Sequence, residues 1–191
     1  MRPDAARIEA LVAELLSELL DPVEAKRLAK TPARVAESLG FLTSGIGSRA
    51  TAQTLAAAPA SHGMVITRDI ELYSMCEHHL LPFFGRCHVG YVAGARTAEP
   101  GELARVVDGV ARRLQLQERI TEEVAAALYE ALEPKGLGVV IEAHHFCMMM
   151  RGVEQQRSSI ETSAVLGSFR QDAALRRSFF SLAFAHSAEE R

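Results

Sequence analysis

An α+β domain built on an antiparallel sheet is the fold class this sequence predicts, on three observations. Two runs with β-branched residues in rough alternation, "GMVITRDIELYSM" and "GRCHVGYVA", stand close enough to pair. Two helical patterns follow them. Two further strand-like runs come next, and the resulting ββααββ order, with helices before and after it, belongs to the α+β class.

Each element has its own signal. Residues 4–20 place Ile8, Leu11, Val12, Leu15, Leu16 and Leu19 at helical spacing. "KTPARVAESLGFL" opens a second helix with Thr31 as N-cap and Pro32 at the first helical position. Small and polar residues dominate 43–63, which reads as a long loop and divides a helical segment (1–45, then loop 46–63) from the main domain (64–191). Leu103, Val106, Val107 and Val110 mark a helix over 101–114, and Ile120, Val124, Leu128 and Leu132 mark another over 118–132. "PKG" at 134–136 breaks the chain before the strand "LGVVIEAHHFCMMM". A strand near 160–166 and a helix near 171–185 close the pattern.

Composition excludes several functions. At 191 residues, 48% hydrophobic and 24% charged, the chain can bury a sizeable core and is not of disordered type. A net charge of −3 provides no overall basic field for nucleic acid. No apolar run reaches the roughly 20 residues of a membrane span. The first residues, with Asp4, Glu9 and Glu14 among apolar ones, do not read as a signal peptide. Three cysteines without an export signal then point to the cytoplasm and to thiols available for metal.

The chemistry concentrates in two places. "YSMCEHHLLPFFG" sets Cys76, Glu77, His78 and His79 in consecutive positions, and "HHFC" adds His144, His145 and Cys147. Cys76-x-x-His79 is a spacing at which one turn can aim two side chains at one ion, with Cys147 as a third ligand from far along the chain. On a regular strand His145 and Cys147 share one face and His144 the other, with Arg151 on the His145 side. Three protein ligands with one position open is the catalytic zinc pattern, in which water ionises near neutral pH. His78, His145 and Glu77 then stand near as proton carriers. A closed structural site with His78 or Cys87 as fourth ligand fits the spacing too. Cys87 and His88 sit mid-strand, one expected toward the core and one toward solvent. Met148, Met149 and Met150 read as core filling, and Arg112, Arg113, Arg176 and Arg177 as solvated helix faces. His62 and His186 read as surface histidines.

"MCEHHLLPFFG" and "HHFCMMMRGV", with "AKTPARVAESLGFLTSG", "QLQERIT" and "LGSFR", make the chain resemble GTP cyclohydrolase I from about residue 28 onward. The resemblance implies a tunnelling fold (T-fold) whose ββααββ units form rings, two five-membered rings stacking as a homo-decamer. It implies Cys76, His79 and Cys147 as zinc ligands and His78 and His145 as proton-transfer residues. Glu118, preceded by Gln117, would grip the guanine edge, and Arg34, Arg105 and Arg151 would hold the triphosphate. The implied reaction is hydrolysis of GTP at C8, with release of formate and formation of 7,8-dihydroneopterin triphosphate, in pterin and tetrahydrofolate biosynthesis. The sequence departs from the family at Glu99-Pro100-Gly101-Glu102, where Gly101 and Glu102 replace a serine and a lysine, and at 157–160, where Arg157 and Ile160 replace an asparagine and a threonine. A carboxylate near a triphosphate is repulsive. The departures therefore admit a diverged enzyme acting on another guanine or purine compound, or stopping before ring closure. They also admit a non-catalytic regulatory paralogue, against which the retained cysteines and histidines argue.

Overall fold

The computed structural model describes residues 4–47, 63–94 and 96–185. The histidines at 62 and 186 and most of the loop expected over 46–63 lie outside these. The elements run α1 (Ala5–Leu19), α2 (Pro22–Arg27), α3 (Thr31–Leu42), β1 (Met64–Cys76), β2 (Pro82–Val92), α4 (Pro100–Ala111), β3 (Leu114–Gln115), α5 (Gln117–Leu132), β4 (Gly136–His145), α6 (Phe146–Met149), β5 (Ile160–Gly167), α7 (Ser168–Gln171) and α8 (Ala173–Ala183). The α+β class and the ββααββ order are borne out. The sheet order is β3-β1-β2-β4-β5, antiparallel except for the two-residue β3, which lies parallel to β1.

The apolar stripes of α4 and α5 explain their place. Leu103, Val107 and Val110 of α4, and Ile120, Val124, Leu128 and Leu132 of α5, lie at 3–4-residue spacing and are buried. They cover the sheet face formed by Leu72, Phe83, Cys87, Val89, Tyr91, Leu137, Val139 and Ile141. Each fully buried aliphatic side chain contributes about 1.5–3 kcal/mol of transfer free energy. The alternation along β2 and β4 thus sends every second residue into this core.

The other face is partly covered by α8. Phe179 lies over Gly90 and Gly138, where a Cβ would stand 2.5 and 2.6 Å from its ring, so only glycine lets the helix sit this close. His88 is therefore buried against Phe184 rather than turned to solvent, while Cys87 enters the core as expected. A bulge in β1 between Thr67 and Ile70 places Asp69 at φ 57°, and its amide donates to His88 Nδ1 at 3.2 Å. Arg86 donates to the Asp69 carboxylate at 3.0 Å.

The N-terminal helices differ from expectation in detail. Thr31 is the first residue of α3 rather than its cap, and α2, capped by the Asp21 carboxylate at the amides of Val23 and Glu24, is an additional element. Arg112 and Arg113 are not merely solvated. The Arg112 guanidinium lies 4.3 Å over the Phe41 ring, and Arg113 donates to Gly45 O at 3.1 Å and pairs with Glu123, so both anchor the α3 end to the main domain. Arg176 donates to the carbonyls of Phe169 and Arg170, tying α8 to α7.

Burial pulls the His88 pKa below its ordinary value of 6.5, against the opposing pull of Asp69 and Glu142. A folded pKa below the unfolded one means that the unfolded chain binds more protons as the pH falls. The His88 contribution is then intact above about pH 6.5 and lost as the pH drops through it. Urea unfolding at pH 7.5 and 5.5 should show a smaller loss of stability for His88→Phe than for the wild type. An equal loss would mean that His88 does not titrate on unfolding.

Candidate metal centre and active site

The β1–β2 connection is a tight turn, and its tightness builds the first half of the site. The Cys76 amide donates to Leu81 O and the Leu80 amide to Cys76 O, both at 2.9 Å, with Leu80 at φ 53°. The Glu77 amide donates to Gln115 O at 3.1 Å, so β3 ties the turn to the start of α5. Within it Cys76 Sγ and His79 Nδ1 stand 3.8 Å apart.

The second half arrives by a route the strand pattern did not anticipate. Strand β4 was expected to run through Cys147 and the methionines, yet it ends at His145 and the chain turns into α6. Its neighbours explain why. Phe83 pairs with His145, so the next partner on β2 would be Pro82, which has no N–H to donate, and β5 pairing reaches no further than Ala143. The helical turn then carries Cys147 to Cys76. Strand alternation separates His144 from His145, but it is not what places Cys147. Arg151 follows α6 in an exposed bend rather than continuing a strand face. Met148 lines the cavity below, Met149 is half-buried and Met150 is 66% exposed, so these residues are not core filling.

Cys76, His79 and Cys147 bring their ligand atoms within 4.8 Å of one another. Ligands at ordinary zinc–sulfur and zinc–nitrogen distances around a tetrahedral ion stand about 3.6–3.8 Å apart, close to the 3.8 Å between Cys76 Sγ and His79 Nδ1. Burial, followed by the neighbouring Cys76 sulfur, pushes the Cys147 thiol above its ordinary value. Two such sulfurs side by side are stable as thiolates only with a cation between them, and the donor set suits zinc. Cys87 is no fourth ligand: it is fully buried in the core, where burial pushes its thiol up to about 12. His78 stands outside the group of three.

A cavity of about 390 Å³ opens over the three ligands. His78, Gln117, Glu118, His145 and Ile160 line it too. Glu118, in the first turn of α5, presents an exposed carboxylate. His145 is 8% exposed, stacked on Phe83 at 4.4 Å, and donates to Gln117 Oε1 at 2.8 Å. Burial lowers its pKa, against the opposing influence of Glu118. His144 is not among the lining residues; it lies by Phe84 and contacts Ser158 O at 3.3 Å.

Other expected site residues stand elsewhere. Glu77 does not line the cavity: its carboxylate forms a two-pronged pair with Arg119 at 2.6 and 3.1 Å, which lowers its pKa and fastens the turn to α5. Arg34, Arg105 and Arg151 are exposed and outside the lining. Gln117 lines the cavity, but its amide group is taken up by neighbouring protein atoms. Gln115, 1% exposed and close to the turn, also lines the cavity; as a single glutamine in the two-residue β3, beside β1, it carries no separate signal in the sequence. Glu102, expected beside a phosphate, accepts the Glu99 amide at 2.8 Å and closes the N-terminus of α4, where a carboxylate is favoured.

The GTP cyclohydrolase I family profile matches residues 8–183. The curated GTP cyclohydrolase 1 of Leptospira biflexa is 46% identical over 177 residues, covering 92% of this chain and 97% of that one. The Methylococcus capsulatus protein of that name is 45% identical over 92% and 96%, and the Coxiella burnetii one 50% identical over 81% and 85%. Among solved structures, the apo form of the archaeosine synthase QueF-Like aligns with 58% of this chain and 96% of its own at TM-score 0.44 and 14% identity. If Cys147 is a ligand, the wild type should purify with one zinc per chain and Cys147→Ala without it, and the variant should lose activity. Full zinc occupancy and activity in that variant would remove Cys147 from the site.

Proposed function

The chain belongs to the GTP cyclohydrolase I family, an enzyme family of hydrolases, and from that premise we propose that it converts GTP and water to formate and 7,8-dihydroneopterin triphosphate with zinc as its metal. The observation that carries this reading is the convergence of Cys76, His79 and Cys147 with His78, His145 and Glu118 on one cavity. Zinc bound there supplies Lewis acidity and lowers the pKa of water toward neutrality.

The protein's own groups do the rest. Glu118 accepts the N1–H and 2-amino hydrogens of guanine, a charge-assisted two-point contact that orients C8 toward the ligands. His145 relays a proton to N7 as C8 is attacked, first taking it from solvent on its bare ring nitrogen, and the buried ring releases it readily because burial disfavours its charged form. His78, on the exposed rim, exchanges protons in the later steps. Phe83 fixes the plane of the His145 ring by stacking on it.

A triphosphate needs cations, and Arg34, Arg105 and Arg151 stand outside this cavity in one chain. Their exposure supports sites completed by neighbouring copies in a homo-oligomer, two stacked five-membered rings being the expected form. Sheet closure supports it too, since β5 ends the sheet with an edge that another copy can pair. Among the described residues no helix is long and apolar enough to cross a membrane, and the proposed setting is the cytoplasm, in pterin and folate synthesis. The cap made by Glu102 accounts for that residue's presence through α4, which favours the GTP reading over a diverged substrate.

The test is incubation with zinc and GTP, following formate and pterin fluorescence separately. Both should appear, and His145→Ala should slow formate release by roughly 10²–10⁴-fold, the usual worth of general acid–base catalysis, with His144→Ala costing much less. Equal losses in the two variants, or no formate from the wild type, would contradict the reading.

A further inference from the structure

Gln117 begins α5 and is 1% exposed, so every polar atom of its side chain needs a protein partner. Its Nε2 lies 3.0 Å from Ile141 O, 2.8 Å from Ile160 O and 3.1 Å from Thr162 Oγ1. Two of these neighbours are carbonyl oxygens, which only accept. The amide therefore has one orientation: turned the other way, its oxygen would face two other oxygens in a buried site.

The surrounding hydroxyls agree. Thr121 donates to Gln117 O at 2.8 Å, which commits its only proton, so the 2.6 Å contact between Thr121 and Thr162 must use the proton of Thr162. Thr162 Oγ1 then faces Gln117 Nε2 as an acceptor, sharing at 3.1 Å one of the two amide hydrogens that the closer carbonyls take. The network runs in one direction and ends at Gln117 Oε1, an acceptor 2.8 Å from His145 Nε2. An acceptor there requires a proton on Nε2.

We infer that Gln117 is a positioning residue that holds neutral His145 as its Nε2–H tautomer, making Nδ1 the nitrogen through which His145 trades a proton with the substrate. The inference rests on the role given to His145 above, and it assigns Gln117 to the histidine instead of to the guanine. In a neutral imidazole only one nitrogen is bare. With Nε2 committed to Gln117, proton traffic passes through Nδ1. Loss of such a supporting contact costs about 10–10² in activity, since it disturbs the tautomer and orientation of the ring and removes no substrate contact.

The test is magic-angle-spinning ¹⁵N NMR of zinc-loaded protein labelled at histidine, with His145→Ala identifying the His145 signals. The wild type should show His145 protonated on Nε2 and bare on Nδ1, and Gln117→Leu should lose that preference. The same variant should lower kcat by about 10–10² while KM for GTP stays within about threefold, as for a residue that does not touch substrate. A wild-type His145 protonated on Nδ1 overturns the inference even if no variant folds, and so does a Gln117→Leu protein with unchanged tautomer, or one whose KM rises while kcat holds. Undiminished formate release by His145→Ala would instead overturn the role of His145, leaving the tautomer measurement intact.

Discussion

The end of the β2–β4 ladder, where Phe83 pairs with His145, is the constraint on which the site depends. Proline at the next β2 position denies β4 a further partner, and the chain must leave the sheet there. It leaves as a helical turn, which delivers Cys147 to the turn that holds Cys76 and His79. The same pairing stacks His145 on Phe83 and leaves its Nε2 against Gln117. A one-residue slip would exchange His145 for His144 and direct the wrong imidazole into the cavity.

Two supports keep this corner in place. The main core, with α4 and α5 on the inner face of the sheet, positions the first turn of α5 and hence Gln117 and Glu118. The Glu77–Arg119 pair and the Glu77 amide bonded to Gln115 O hold the β1–β2 turn against that helix. Glu77 sits among the candidate proton carriers in sequence, yet its carboxylate is committed to this tie. An exposed ion pair of this kind adds little stability by itself; its effect is to limit how far the turn can move.

The fold was legible where apolar periodicity is strong. The spacing of Leu103 to Val110 and of Ile120 to Leu132, and the alternation in β1 and β2, marked elements within a few residues of their observed bounds. The candidate metal group was legible because cysteine and histidine at such spacing have few structural uses, and the structure brings Cys76, His79 and Cys147 together. What stayed hidden depends on pairing partners that a linear pattern does not contain. The end of β4 follows from Pro82 on another strand, the burial of His88 from a helix nearly a hundred residues on, and the orientation of Gln117 from carbonyls of β4 and β5. The roles expected of Arg112 and Arg113 missed for a similar reason, since Phe41 and Gly45 come from the preceding segment.

The central claim is that one zinc ion sits between the β1–β2 turn and α6, held by three protein side chains. Zinc-edge X-ray absorption of the purified protein measures this directly. The account predicts two sulfur ligands at about 2.3 Å and two nitrogen or oxygen ligands at about 2.0–2.1 Å, only one of them an imidazole. Three sulfurs, two imidazoles completing a closed four-ligand shell, or no sulfur at all would contradict it.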